Sequence, residues 1–343
     1  MKNIKISLVL ILLVLAAAQS VYAGGGNRNG TAGAAQLLIP VGTRGIAMGG
    51  STLTNAVGPE AIYWNPANLS RAANTTNVML SQMNYIADIG VSYGAVSTNI
   101  EGFGALGLSI KGLSMGEIDN TTVENPDGTG QTFTPQFMTL GVTYSRMLSD
   151  RIAVGLTANY ISEKLDRVSA TGFAFNVGIS YQNLGNINGL SFAVVMKNIG
   201  PQMQYDGSGL LVQATASGLN RGQQLYTMTS APFELPSTLE LGMGYKYDIN
   251  SENALQLSGA FQNSNFYGDE YKLGAEYGFN NLFFVRGGYS YVSDINRNDV
   301  TFGPTAGAGI NYQSDGFDFK FDYAYRQTKF FSANHVFSIA FGF

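Results

Sequence analysis

Three places in this chain carry residue types that could do chemistry. "GFGALG" at 102–107 satisfies the spacing of a dinucleotide fingerprint, which needs a strand, a glycine turn and then a helix whose N-terminus holds a pyrophosphate. Here the glycines open a run of strand character, so small inward-facing residues are the plainer reading. His335 is the only histidine. As a general base it would need a serine at dyad spacing on its own strand face, and none stands there. It shares a face with Phe337 and Ile339 and reads as an interfacial side chain. A single imidazole cannot build a histidine-based metal site. "NPDGTG" at 125–130 suggests calcium, but Pro-Asp-Gly is first a turn signal, and EF-hand spacing is missing. The expectation is a protein that is no enzyme, with no catalytic residue, no metal and no cofactor.

The bulk composition must then be explained by structure. Lys2 and Lys5 precede the apolar run "ISLVLILLVLAAA", and "VYA" ends at Ala23. This is the pattern of a secretory signal peptide over 1–23, with an apolar run too short to span a bilayer comfortably. There is no cysteine, which excludes a lipid-anchored bacterial lipoprotein, a disulfide framework and a thiolate metal site. Lys and Arg number 19 against 23 Asp and Glu; without Lys2 and Lys5 the balance is 17 minus 23, or −6. That mild acidity argues against nucleic acid as a partner. Charged residues are only 12% of the chain, while Gly numbers 43, and 19 Tyr and 21 Phe stand against one Trp. Such a chain is too uncharged for an ordinary soluble surface and too interrupted for membrane helices.

The period resolves this. In "FDFKFDYAYR", Phe317, Phe319, Phe321, Tyr323 and Tyr325 alternate with Asp318, Lys320, Asp322, Ala324 and Arg326. Successive side chains of a strand point to opposite faces, so one face is aromatic and the other charged or small. "LELGMGYKY", "IAVGLTANY" and "FAFNVGISY" repeat the pattern. Alternation alone would also suit a soluble sandwich. The segment length, the aromatics near strand ends and the export signal favour a membrane wall, and in lipid a sheet must close on itself. Fourteen strands are expected, near 76–86, 88–99, 103–115, 134–147, 151–162, 171–182, 189–198, 237–248, 253–263, 269–279, 282–292, 303–313, 316–327 and 334–343. Short turns alternate with longer loops, those near 116–133 and 199–236 being longest; a tight connection near Ala87 is the misfit. The fold class is therefore all-β: a 14-stranded antiparallel transmembrane β-barrel over 75–343, in the bacterial outer membrane after Sec export. The last strand, "HVFSIAFGF", ends on Phe343 and looks like the assembly signal of such barrels.

Fourteen strands enclose a lumen too wide for wall side chains alone. Residues 24–74 lie before the first strand and contain "GTRGIAMGGSTLTNAVGPEAIYWNPANLSR". Asn65-Pro66 breaks any continuous element there, and the glycines permit close backbone approach. This stretch is expected to form an N-terminal plug, or hatch, inside the barrel, with Trp64, Asn65, Pro66 and Ala67 as its motif. Inward faces of the strands offer Glu240, Lys246, Arg286, Asp318, Lys320, Asp322 and Arg326 as lumen-facing charges, with Arg44 and Glu60 as plausible counterparts on the plug.

"GTRGIAMGGSTLTNAVGPEAIYWNPANLS" resembles the N-terminal motif of the PorV/PorQ family of outer-membrane barrels, relatives of the FadL-type transporters. "FAFNVGISY", "NIGPQMQY" at 198–205 and "LPSTLELGMGY" at 235–245 resemble its central segments. The chain departs from the family at Pro59-Glu60, where relatives carry an acidic residue and a small one. The resemblance implies that Asn65, Pro66 and Ala67 belong to a hatch inside a 14-stranded barrel. It also implies one of two non-enzymatic functions. PorV-like members work in type IX secretion, collecting cargo proteins and delivering them to an attachment machine. FadL-like members pass hydrophobic small molecules through the hatch and out through the wall. The implied partners are outer-membrane lipid, the barrel-assembly machinery, and either secreted cargo with other secretion components or a hydrophobic ligand.

Overall fold

The computed structural model describes residues 31–215, 222–293, 296, 298–314 and 316–343. The expected signal peptide, 1–23, and the first residues of the expected plug lie outside them. The described chain contains a closed antiparallel barrel of fourteen strands. They are β1 Thr76–Asn84, β2 Gly90–Ile100, β3 Gly104–Ser114, β4 Gln136–Met147, β5 Ile152–Leu165, β6 Val168–Gln182 and β7 Leu190–Ile199, then β8 Thr238–Asp248, β9 Ala254–Ser264, β10 Glu270–Phe279, β11 Phe283–Val292, β12 Phe302–Ser314, β13 Phe317–Thr328 and β14 Asn334–Gly342. Each strand pairs with its neighbours in sequence, and β1 pairs with β14 from Asn77↔Gly342 to Asn84↔His335.

The strands form because their two faces meet different surroundings. On β8, Leu239, Leu241 and Met243 are exposed on the outer wall, while Glu240, Gly242 and Gly244 are buried inside. The strand count and the alternating loop lengths match the sequence expectation, with one difference. The connection expected over 163–170 shrinks to Asp166 and Arg167, because the β5–β6 ladder continues to Leu165↔Val168. Its end is covered by the long connection between β7 and β8, whose Asp206 bonds both ways with Ser169. Near Ala87 the chain turns tightly between β1 and β2, with Ala87 and Asp88 both at positive φ. The long connections all lie at one end, together with the tight links at Ala87 and at Asp166-Arg167, and the other end carries only short ones; in bacterial barrels the long-loop end is extracellular and the short-turn end periplasmic.

The described segment before β1, residues 31–75, lies inside this wall. It consists of short pieces only: 3-10 turns at Ala35–Leu38, Gly58–Glu60 and Pro66–Arg71, and the helices α1 Thr43–Ala47 and α2 Ala61–Trp64. At the long-loop end the Gly33 amide donates to the carbonyl of Glu234 at 3.1 Å. At the short-turn end Arg71 donates to the carbonyl of Arg151 at 2.8 Å. The segment therefore runs the length of the lumen.

Glycines on the inner face let the segment touch the wall at backbone distance. A Cβ built at Gly155 of β5 would lie 2.3 Å from the carbonyl carbon of Pro66, and one at Gly288 of β11 would lie 2.2 Å from the Gly49 amide. On β8, a Cβ at Gly242 would meet Leu53 at 2.8 Å; on β10, one at Gly274 would meet Ser51 at 2.4 Å. Close packing of this kind tolerates no added methyl group without displacement. Gly107, from the glycine cluster at 102–107, is one of these inward positions, facing Ile62 and Leu69. Gly155→Val should thus displace the inner segment while leaving the barrel closed. The variant should keep its altered migration when run unboiled on a gel, while Trp64 fluorescence becomes more accessible to acrylamide. Unchanged quenching would show that the contact is not needed to seat the segment.

Candidate functional site

The interface between inner segment and wall concentrates the polar chemistry of the molecule. Its local structure starts from "WNPA". Asn65 stands in extended conformation ahead of Pro66, and its side-chain oxygen accepts from the Ala67 amide at 3.1 Å, capping the 3-10 turn that follows. Pro66 at the first position of that turn costs no hydrogen bond there. The Asn65 side chain also donates to the Leu53 carbonyl at 2.8 Å, joined by Asn68 at 3.0 Å. One dipeptide thus ends α2, starts the next turn and pins a loop. Trp64 is buried, donates from Nε1 to the Val41 carbonyl at 3.0 Å, and lies flat against Gly45, where a Cβ would be 2.3 Å from the ring. The carbonyl of Ala67 accepts from Ser145 of β4 at 2.7 Å, fastening the motif to the wall.

An ion chain crosses from segment to wall. Arg44 on α1 grips Glu276 of β10 with Nε at 2.7 Å and Nη2 at 2.8 Å, and its Nη1 donates to the Asn55 carbonyl at 2.7 Å. Arg286 of β11 also binds Glu276, and its Nη1 reaches Asp322 of β13. A planar guanidinium suits this bidentate role better than an ammonium would. Burial opposes the Arg44 charge, but Glu276 outweighs it and holds the guanidinium above its ordinary value. Glu60 does not join the chain directly: it accepts from the Gly45 amide at 2.8 Å within the segment. Burial pushes its carboxyl above the usual carboxylate range, against the pull of Arg44 and of that amide.

A second contact lies higher in the lumen. Lys197 of β7 pairs with Glu240 of β8 at 2.9 Å and sits 4.9 Å from the centre of the Tyr63 ring. Lys111 of β3 lies 5.2 Å from the same ring and donates to the carbonyls of Gln36 and Ile39 at 2.7 and 3.2 Å. Tyr63 is thereby clasped between two ammonium groups, a favourable place for an aromatic face.

The remaining expected charges separate along the lumen. Asp318 and Lys320 line a cavity of about 360 Å³ at the short-turn end, where Asp318 accepts from Asn74 at 2.7 Å. Arg326 lines another, of about 370 Å³, on the long-loop side of the segment. Lys246 follows the inward face to the short-turn rim, where it is 57% exposed and pairs with Asp248 at 3.0 Å rather than with the segment. Phe343 closes the seam: its amide donates to the Thr76 carbonyl at 2.8 Å and its ring lies 5.6 Å from that of Phe317. The sequence reading did not single out Glu276, Lys197, Lys111 or Lys272. The signal was present, since Glu270, Lys272, Gly274 and Glu276 alternate with Tyr271, Leu273 and Tyr277.

The family described as "Type IX secretion system protein PorV" matches residues 24–264, from before the inner segment to the end of β9. Among solved structures, the Pseudomonas putida toluene transporter TodX is similar at TM-score 0.57 and 12% identity, covering 88% of this chain and 97% of that one. The CymD monoaromatic hydrocarbon channel is similar at TM-score 0.55 and 15% identity, over 89% and 98% of the two chains. The Ralstonia pickettii toluene transporter TbuX is similar at 0.51 and 15%, over 88% and 97%. At these identities the likeness is one of fold alone. No curated protein matches the chain at a significant level.

Removing the carboxylate at the centre of the ion chain tests how much the segment depends on it. Glu276→Gln takes the shared carboxylate from the half-buried Arg44 and the buried Arg286, and breaking a buried pair from one side costs about 3–5 kcal/mol. Arg44→Met leaves the Glu276–Arg286 pair intact and should cost less. In urea titrations followed by Trp64 emission, Glu276→Gln should release the tryptophan at the lower concentration of the two. The reverse order would mean that the Arg44 contact, not the shared carboxylate, carries the attachment.

Proposed function

The chain belongs to the PorV family of outer-membrane barrels, and from that premise we propose that it acts without catalysing a reaction, as a type IX secretion protein that holds secreted cargo proteins and passes them to the attachment machinery. The observation that carries this reading is the family match over 24–264, which takes in both the inner segment and the whole connection between β7 and β8. That connection bears a small hairpin, Leu211–Ala214 with Gln224–Thr227, on which Leu225 is 64% exposed, and Met228 beside it is 59% exposed. Apolar side chains presented on the extracellular side suit a protein partner. The same connection is tied to the inner segment: Glu234 holds Gly33, while Met203 and Leu235 pack with Ala34 and Leu37. In this reading residues 24–74 are a plug that keeps the lumen shut while the outer surface works. Export by way of the segment 1–23 and insertion guided by Phe343 belong to the same proposal.

A second reading, passage of a hydrophobic small molecule, is favoured by one observation: a cavity lies on each side of the inner segment, as an intermittently opened path would need. Deleting the gene separates the two. The shuttle reading predicts that secreted proteins accumulate in the periplasm, and that the barrel, gently extracted from the native membrane, brings them or other secretion components with it. Intact secretion together with slowed growth on a hydrocarbon or fatty acid, and a purified barrel carrying such a molecule, would replace it with the solute reading.

A further inference from the structure

The cavity on the long-loop side of the inner segment contains one charge that the rest of the structure does not use. Its walls include Lys197, Lys272 and Arg326 against Glu240 and Glu270, an excess of one positive charge. Lys197 is paired with Glu240 at 2.9 Å and Lys272 with Glu270 at 3.4 Å. Arg326 is the odd group. Its Nη1 is shut off from solvent and has no hydrogen-bond acceptor in the protein, and no carboxylate stands within ion-pair reach of it among the described residues. Its guanidinium lies over the Phe302 ring at 3.5 Å, which orients the plane without neutralising the charge. The charges of the other cavity balance, with Arg44, Arg71, Arg286 and Lys320 against Glu60, Glu276, Asp318 and Asp322.

A half-buried guanidinium with no carboxylate beside it gains from an anion that joins it, and its fork of donors matches a carboxylate or phosphate. The lining mixes polar groups with apolar and aromatic side chains, and Phe302 lies directly under the guanidinium. Tyr85 lies against Phe302 in a tilted pair with centroids 5.8 Å apart, and Leu38, Ile46 and Val292 line the same space as Trp64. A volume of about 370 Å³ suits a compact molecule rather than a long chain. We propose that this cavity binds a compact organic anion, a single carboxylate or phosphate on an apolar body, with the anionic group on Arg326 and the apolar body against Phe302 and Tyr85. The proposal goes beyond the shuttle reading and does not depend on it.

Trp64, the only tryptophan, lines the cavity and reports on its contents. The full chain in nonionic detergent is titrated with 4-phenylbutyrate, with the uncharged 4-phenylbutan-1-ol, and with inorganic phosphate, following Trp64 emission. The acid should give a saturable change at a concentration at least about tenfold below that of the alcohol or of phosphate, a gap of about 1.4 kcal/mol. Arg326→Gln should erase the gap, and Arg326→Lys should keep part of it. Retained unboiled gel migration certifies that each variant is folded, and the wild-type comparison of acid with alcohol stands without any variant. Equal binding of acid and alcohol, equal binding of phosphate and acid, or an unchanged preference in Arg326→Gln would each overturn the proposal.

Discussion

Everything in this molecule follows from a wall that cannot fill its own interior. Strands exposed to lipid must pair every backbone group, which forces closure, and closure at fourteen strands leaves a lumen wider than its side chains. Residues 31–75 lie inside it, and the fit is made by subtraction. Where Gly155, Gly242, Gly274 and Gly288 face inward, the wall gives up side chains so that another backbone can lie against it. The high glycine content is thus a property of the inner surface as much as of the turns. The helices of the segment stay short for the same reason, since a longer cylinder could not follow the curved wall so closely.

Apolar contact alone would let such a segment slide, because one glycine-rich surface resembles the next. The charged groups supply register. Glu276 between Arg44 and Arg286 fixes one height in the lumen, and Tyr63 between Lys111 and Lys197 fixes another. Both use wall residues that would be intolerable on the lipid side of the same strands. The outermost tie, from Gly33 to Glu234, joins the segment to the connection that carries the exposed hairpin. A partner that moved this connection would pull on the segment without entering the barrel.

The barrel was legible because period-two alternation is repeated so often that each strand checks the others. Strand ends were less so: nothing in "DRVS" at 166–169 announces that pairing runs almost to its tip. The segment's motif was legible as a break, since Asn65-Pro66 forbids a continuous helix, but its partners were not. Arg44 and Glu60 have the same sequence credentials as wall-binding charges, yet only Arg44 reaches the wall, while Glu60 turns back to Gly45. Likewise Asp318, Lys320, Asp322 and Arg326 share one face of β13, but the strand spans the whole wall, so they serve the short-turn cavity, the ion chain and the long-loop cavity in turn. Which charge meets which depends on how far along the lumen each stands, and local sequence does not encode that.

The central claim is that the inner segment closes the lumen. Single-channel recording of the intact protein in a planar bilayer tests it most directly. A closed lumen predicts insertion without a steady ohmic conductance, at most brief and rare openings. A stable, porin-like conductance from the intact chain would contradict it.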